Sequence, residues 1–441
     1  MQYVVQRVVG MLAAMVMLSV VAPPAALGQH AGGGNQVLKG TPAGRQLTGE
    51  GARDVLGFSV RAGYELTLAA DEVSGGRFLE FDERGRLYVS VPSGEIVQLF
   101  DDDGDGVFER RREVVTGLRG LHGLCFRKDD TGSWLWFTTS DSVRRVRVDT
   151  LPEQGEVKGT VETILKPGDL PRGGGHWWRS VLVTETHVFT SIGDSGNISD
   201  ETASERQKVW RFNHDGTGKT LWASGVRNNE KLRLRPGTSE VWGVDHGSDN
   251  MGAPLGESAR AYGPVTDMNP PDEFNHYIEG GFYGHPFVTG NRVPRYEFAV
   301  GKGKREDLVE LADTTIPPMW CFQAHSSSNA FAFLEPGLCG AGKAMPADHA
   351  GDAFVAQRGS WNRRAPSGHT ISRVLFDDGV PYGQLVIVST LAKGGRSHNG
   401  KPIDCVQAAD GSVLFSVDSM QETNAARVYR LRWVGEGASS K

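Results

Sequence analysis

The stretch GRLYVSVPSGEIVQLF, Gly85 to Phe100, holds two short β-branched and aromatic runs separated by Pro92, Ser93 and Gly94. Short runs of this kind bounded by turn formers read as strands, and two across a tight connection read as a hairpin. The first run returns as SWLWFTT (Ser133), THVFTSIGD (Thr186), SEVWGVDHG (Ser239), GDAFVAQRG (Gly351) and GSVLFSVD (Gly411). The second returns as SVRRVRVD, KVWRFNHDG, HTISRVLFDDG and ARVYRLRW, with a basic residue among apolar ones. Aligned on Leu87, Leu135, Val188, Val241, Phe354 and Val413, the copies are 48, 53, 53, 113 and 59 residues apart. A period near 50 with about four strands per unit is what a β-propeller blade needs. The long step is one blade plus an insertion between the fourth and fifth signatures. Helical periodicity is scarce, so the expected fold is all-β: a six-bladed propeller of four-stranded blades, closed by pairing an early strand with the last blade. Separate β-sandwiches would not repeat the strand pair.

Composition sets the surroundings. The 441 residues include 58 glycines, with 39% hydrophobic and 23% charged residues, which suits a soluble domain rich in turns. A formal charge of −6 leaves no basic footprint for nucleic acid or an anionic membrane, so an anionic ligand needs local cations. Arg7 precedes an apolar run from Val8 to Val21, and Ala26, Leu27 and Gly28 supply a cleavage site, so residues 1–28 read as a signal peptide and the chain as exported, periplasmic or secreted. The run falls short of the ~18 residues a membrane span needs, and the mature chain has no span. Residues 29–51 read as a Gly-rich linker, 52–435 as the propeller and 436–441 as a tail. Cys125, Cys321, Cys339 and Cys405 fit an oxidising compartment, with Cys321 and Cys339 the closest pair in sequence, and equally fit buried thiols. No CxxCH is present, so no covalent haem is expected.

Propellers bind ligands where loops converge on the channel, which directs attention to polar residues flanking the inner strands. In RGGGHWWRSVLVTETHVFTSIGDSGN, His176 follows three glycines and Asp194 ends the next strand. A hairpin between them sets an imidazole beside a carboxylate, the arrangement of a general base, although a His on such a loop also serves structurally. In ASGVRNNEKLRLRPGTSEVWGVDHGSDN, Arg227 and Asn228 sit before a strand, and an Arg there offers a fork of donors for a carboxylate or quinone oxygen, or pairs with a blade carboxylate. In PPDEFNHYIEGGFYGHP, Asp272 and Glu273 with neighbouring loop carbonyls make a hard-cation donor set or, alternatively, solvated charges. Trp177 and Trp178 offer aromatic faces to a sugar or pack between blades. His325, Arg363 and Arg364 read first as structural or solvated.

Taken in order, SVRAGYELTLAADEV, GLRGLHGLCF, GGGHWWRSVLV, SIGDSGN, ASGVRNNEKLRLRP, PPDEFNHYIEGGFYGHP, GDAFVAQRGSWNRRAPSGHTISRVLFDDG and GKPIDCVQAADGSVLFSVD resemble the soluble quinoprotein glucose and sorbosone dehydrogenases. The resemblance runs from about Gly57 to Trp433, and the segment GSWNRRAPSGH is closer to the sorbosone-type branch. It implies a six-bladed propeller that oxidises a sugar or sugar-derived aldehyde with pyrroloquinoline quinone (PQQ) and calcium and passes electrons to a separate acceptor. By that resemblance His176 takes the proton of the sugar hydroxyl as hydride leaves for the quinone. Asp194 orients it, Arg227 and Asn228 meet the quinone oxygens, and Arg358 faces the cofactor's carboxylates. Calcium sits on Gly247 and Ser248 through backbone oxygens, with Asp272 and Glu273 directly or through water. Tyr283 matches the aromatic of a Gly-Gly-x-Tyr-Gly turn, whereas Glu230, His246 and Ser248 depart from the glucose enzymes. Two other readings compete: a lactonase-type propeller whose central metal activates water, and a non-catalytic ligand-binding propeller.

One further motif, DDDGDGVFE, places Asp101, Asp103, Asp105 and Glu109 at EF-hand spacing. The twelfth position is Arg112 and the flanks are β-like, which excludes an EF-hand. It reads as a turn between two outer strands of the first blade. Three aspartates so close repel one another. Either solvent offsets them, or a structural calcium does, held by Asp101, Asp103, Asp105, Glu109 and the Val107 carbonyl and apart from any chemistry.

Overall fold

The structure, a computed structural model, describes residues 53–435 except 72, 74, 154, 156, 157, 252–262, 299–304, 392–397 and 419–426. The leader, the linker and the tail lie outside the described residues. The six aligned apolar runs are six strands, each the second of its sheet: Leu87–Val91, Gly132–Thr138, Val188–Ile192, Val241–Asp245, Ala353–Gln357 and Val413–Asp418. Nearly every residue in them is buried, because both faces of a blade pack against neighbouring blades.

The first strands of the blades are Phe78–Phe81, Leu124–Asp129, Leu182–Val183, Asn229–Leu234, Ser328–Phe333 and Lys401–Gln407. Each touches the next, and the sixth returns to the first, so the sheets form a closed six-bladed ring around a channel. Closure comes from the N-terminal strand Tyr64–Ala70, which pairs antiparallel along Arg427–Trp433 as the outermost strand of the last blade. Aromatic rings fill the gaps between blades. Between the fourth and fifth, Trp242, Phe274, Phe331, Phe333 and Phe376 meet with centroids as close as 4.9 Å, in edge-on contacts that add about 0.5–1.5 kcal/mol each beyond burial.

The inserted residues lie between the fourth and fifth signatures, as the 113-residue step implies, and belong to the fourth blade. Its second strand leads through residues 246–272 to the third, Glu273–Tyr277, and a second excursion precedes the fourth, Trp320–Cys321. That excursion lays Gly281–Phe282 parallel to Thr220–Ser224 as a fifth strand on the third blade, then forms the hairpin Val288–Thr289 with Val293–Pro294 and the helix Arg305–Thr314. The fifth blade also departs from four strands, taking the hairpin Arg53–Val55 and Phe58–Val60 onto its outer edge. All four cysteines are free thiols. Cys321 ends the fourth blade while Cys339 lies in the loop between the first two strands of the fifth, and the closest pair in sequence is not joined.

Candidate functional site

Within each blade the start of the first strand and the end of the second fall at the same end of the channel. The loops there enclose a cavity of about 420 Å³. It brings together His176, Arg227, Asn228, Gly247, Asp272 and Arg358 from the third, fourth and fifth blades.

His176 is held by its glycines. The Gly175 N–H donates to the Ser195 carbonyl (2.6 Å), and a Cβ on Gly174 would lie 2.7 Å from Ser195 Cα, so only glycine lets the two loops meet. The Asp194 N–H in turn donates to the Arg227 carbonyl (2.8 Å), zipping the three loops together. His176 Nδ1 lies 3.0 Å from the Asp194 backbone oxygen. A carbonyl only accepts, so Nδ1 carries the hydrogen and Nε2 is left with a bare lone pair. Burial, helped by the Arg227 charge, lowers the imidazole to about 3 and keeps it neutral. The predicted pair is therefore present with a correction: the backbone oxygen of Asp194 orients His176, and the carboxylate points away. That carboxylate accepts from His285 Nε2 (2.7 Å), Gln207 Nε2 (3.0 Å), Gly196 N–H (2.7 Å) and Ser199 N–H (2.8 Å). Burial alone would raise it, but these donors prevail and hold it well below the usual carboxylate range.

Arg227 is buried and braced on three sides. Nε and Nη2 donate to the carbonyl and side-chain oxygens of Asn197 (2.8 and 2.9 Å), and Nη1 to the His246 carbonyl (3.3 Å). Asp245, at the end of the fourth blade's second strand, accepts the backbone N–H groups of both Arg227 (2.9 Å) and Asn228 (2.6 Å). Its burial outweighs those bonds and pushes its carboxyl up to about 6.

Bulges aim three further side chains. Between Asn229 and Leu232 the first strand of the fourth blade carries one extra residue, and Glu230 and Lys231 lie in that break. Glu230 faces His122 (3.3 Å) and Arg77 (3.4 Å). Lys231 reaches across the channel to Asp404 of the sixth blade (2.5 Å). Asn329 occupies the corresponding break in the fifth blade. Asp418 accepts from both Arg77 and Arg358 at 3.3 Å. Trp178 lines the cavity but is already engaged, stacked on His122 (4.5 Å), under Arg77 (4.8 Å) and against Trp177 (3.7 Å). His325 borders the cavity and is tied through Nε2 to the Thr266 carbonyl (2.6 Å). Arg363 binds the Ala324 carbonyl and Arg364 pairs with Asp267 on the surface.

The four residues expected to hold calcium meet around Gly247, on two sides of it. Asp272 borders the cavity, accepting from Gly247 N–H (3.0 Å), Ser326 Oγ (2.9 Å) and Ser328 N–H (2.8 Å). Glu273, the next residue on the strand, turns into a smaller void below, which Gly247 and Ser248 also line, and accepts from Gly290 N–H (2.7 Å). Burial, with Asp245 nearby, pushes Glu273 up to about 8. Tyr283 lines that void too, its hydroxyl spent on the His276 carbonyl and the Ile278 N–H.

The aspartate loop stands elsewhere, joining the outer strands Glu95–Phe100 and Arg110–Thr116 of the first blade. Carboxylate oxygens of Asp101, Asp103, Asp105 and Glu109 lie within 4.8 Å of one another, the one such acidic or histidine group among the described residues. Asp101 accepts from the N–H groups of Gly104 and Gly106, and Asp105 from that of Val107, so the turn is closed by its own backbone.

Sequence reasoning passed over Arg77, His122, Asp245, Asn329 and Asp418. The signal for two of them was present: Asp245 and Asp418 close the same aligned run that Asp194 follows.

A family model described as TrAA12-like matches residues 58–393. An uncharacterized protein of Borreliella burgdorferi is 27% identical over 234 residues, 52% of this chain and 54% of that protein, so the chain spans about half the length of the curated relative it matches. The calcium structure of a Trichoderma reesei carbohydrate-active enzyme of family AA12 superposes with a TM-score of 0.69 at 17% identity, covering 87% of this chain and 99% of that one. The PQQ domain of pyranose dehydrogenase from Coprinopsis cinerea gives 0.64 at 16% identity, over 85% and 97% of the two chains. The soluble aldose sugar dehydrogenase of Escherichia coli gives 0.57 at 14%, over 84% and 99%. At these identities the likeness to solved structures is one of fold.

Proposed function

The chain belongs to the TrAA12-like family, and on that premise we propose that it is an exported sugar-oxidising oxidoreductase that uses PQQ and calcium. The observation that carries this reading is His176, a neutral imidazole with its hydrogen fixed on the Asp194 carbonyl, lining the same cavity as Arg227.

The residues present fit the cofactor. Asn228 Oδ1, His246 Nε2, Asn329 Nδ2 and Arg358 Nε are buried cavity-lining atoms without a partner among the described residues, and a polyoxygenated, polar ligand would meet them. Arg77, Arg227 and Arg358 offset its carboxylates. Around Gly247 the buried Asp245, Asp272 and Glu273 gather negative charge, and Asp245 and Asp272 both act to raise Glu273, which is the electrostatic condition a hard divalent cation relieves. The Gly247 and Ser248 carbonyls and the two adjacent carboxylates would hold it.

When bound, PQQ supplies the two-electron acceptor that a separate acceptor later reoxidises. The chain's own groups do the rest. His176 Nε2 takes the hydroxyl proton as the sugar loses its C–H electron pair, leaving a carbonyl product, and the Asp194 carbonyl keeps the ring from turning. Arg227, rigid on Asn197 and Asp245, faces oxygen that gains charge. No helix among the described residues is long and apolar enough to cross a membrane.

Purified protein is to be incubated with PQQ and calcium, and an artificial acceptor followed over a panel of aldoses, with His176→Ala beside it. Turnover that falls at least 100-fold in His176→Ala is expected. Failure to bind PQQ ends the proposal, binding without turnover favours a ligand-binding propeller, and lactone hydrolysis without quinone favours the lactonase reading.

A further inference from the structure

Trp361 is 75% exposed, the most exposed large hydrophobic side chain among the described residues, and it stands on the rim of the His176 cavity. Its loop is fastened on every side. Ser360 N–H donates to the Ser367 carbonyl (2.9 Å) and Ser367 N–H to Ser360 Oγ (3.0 Å), closing residues 360–367 on themselves. Ser367 Oγ and Arg363 Nη1 both donate to the Ala324 carbonyl (2.7 and 3.2 Å), and Arg364 pairs with Asp267. Asn362, directly after the indole, donates to the Asp249 carbonyl (2.5 Å). A loop tied this firmly could have tucked its Trp away, yet presents it to solvent.

We propose that Trp361 is a stacking platform for a second pyranose ring, so that the substrate is an oligosaccharide whose terminal ring enters the cavity. This rests on the sugar-oxidising reading. The cavity, about 420 Å³ and near the low end of the roughly 300–1,000 Å³ usual for ligands, must hold the cofactor and the reacting ring, so the next ring falls at the rim. There the indole offers an apolar face for sugar C–H groups. Beside it Asn362 Oδ1, buried and without a partner among the described residues, offers an acceptor for a hydroxyl. A protein partner fits less well: Ser360, Asn362, Arg363 and Arg364 flank the indole, so the apolar surface is one ring wide, whereas protein interfaces bury about 800 Å² per partner. The preset loop geometry keeps the entropic cost of binding low.

The test compares kcat/KM for maltose and glucose in the native holoenzyme, Trp361→Ala and Trp361→Phe. The maltose-to-glucose ratio should fall roughly 2- to 12-fold in Trp361→Ala, the range of one aromatic contact, and largely recover in Trp361→Phe. A ratio unchanged in Trp361→Ala overturns the proposal, and so does a constant ratio with slower reduction of a protein electron acceptor, which would make the rim a docking point. If the native protein oxidises neither sugar, the aldose panel decides the catalytic reading and binding decides this one. Methyl β-maltoside should then bind the native protein roughly 2- to 12-fold more tightly than Trp361→Ala in calorimetry, with Trp361→Phe close to native; equal affinities, or no binding to the native protein, overturn it.

Discussion

Removing Asp404 should nearly unfold the propeller, and the structure gives the size of the effect. Its carboxylate meets Lys231 Nζ at 2.5 and 2.6 Å, accepts the N–H of Leu79 (2.8 Å) and that of Cys405 (2.7 Å), and is fully buried, so one side chain ties the inner strands of the first, fourth and sixth blades. Asp404→Ala leaves an ammonium stranded in the channel, which costs about 3–5 kcal/mol. The orphaned Leu79 N–H adds about 1–3 kcal/mol. The sum, about 4–8 kcal/mol, approaches the ~5–15 kcal/mol that holds a typical domain folded. Replacing both partners by apolar residues removes the stranded charge, so Lys231→Met with Asp404→Leu should be more stable than Asp404→Ala by about 2 kcal/mol or more. Urea unfolding at pH 7 of the native protein, Lys231→Met, Asp404→Leu and the double variant closes the thermodynamic cycle, and salt should alter the coupling little because the pair is shielded from solvent. A loss under 1 kcal/mol in Asp404→Ala, or single effects that simply add, would refute the reasoning.

Asp245→Ala frees the N–H groups of Arg227 and Asn228, and a rise in the dissociation constant for PQQ of about tenfold or more is expected in a fluorescence titration. Burial lowers His176 to about 3, so in the free enzyme kcat/KM should show no acid limb near pH 6.5 that depends on His176; a limb there would contradict the lowered imidazole. Burial likewise lowers His285 to about 4 and His369 to about 3. Below pH 6.5 the unfolded chain therefore takes up protons that the folded one refuses, and stability falls with acid. Urea midpoints between pH 7 and 5 should show a shallower fall in His369→Gln, by up to about 1.4 kcal/mol per pH unit. Gly359→Ala should lower Tm, since its Cβ would lie 2.3 Å from the His369 ring at φ +101°, and an unchanged Tm would contradict this packing.

The blades were legible because each second strand is buried on both faces and so carries an unbroken apolar run, as Leu87–Val91 and Ala353–Gln357 do. The 113-residue step locates the insertion between the fourth and fifth signatures, but not its pairing: Gly281–Phe282 pairs with a strand nearly 60 residues earlier, and a two-residue strand has no periodicity to read. At the site, His176 and Asp194 announced a pair, but residue types do not say whether a side chain or a backbone atom makes the bond. Glu230, Lys231 and Asn329 owe their aim to bulges, which depend on register between strands rather than on composition.

The strand that closes the ring, Tyr64–Ala70, is made early and used last. Its partner, Arg427–Trp433, leaves the ribosome more than 350 residues later, which at ~5–20 residues per second is a wait on the order of tens of seconds. Throughout that interval the early strand has an open hydrogen-bonding edge, available to any neighbouring nascent chain. Truncation before the sixth blade therefore does not yield a smaller propeller. It yields an unsealed sheet, and crowding on polysomes should make such fragments aggregate unless a chaperone holds that edge.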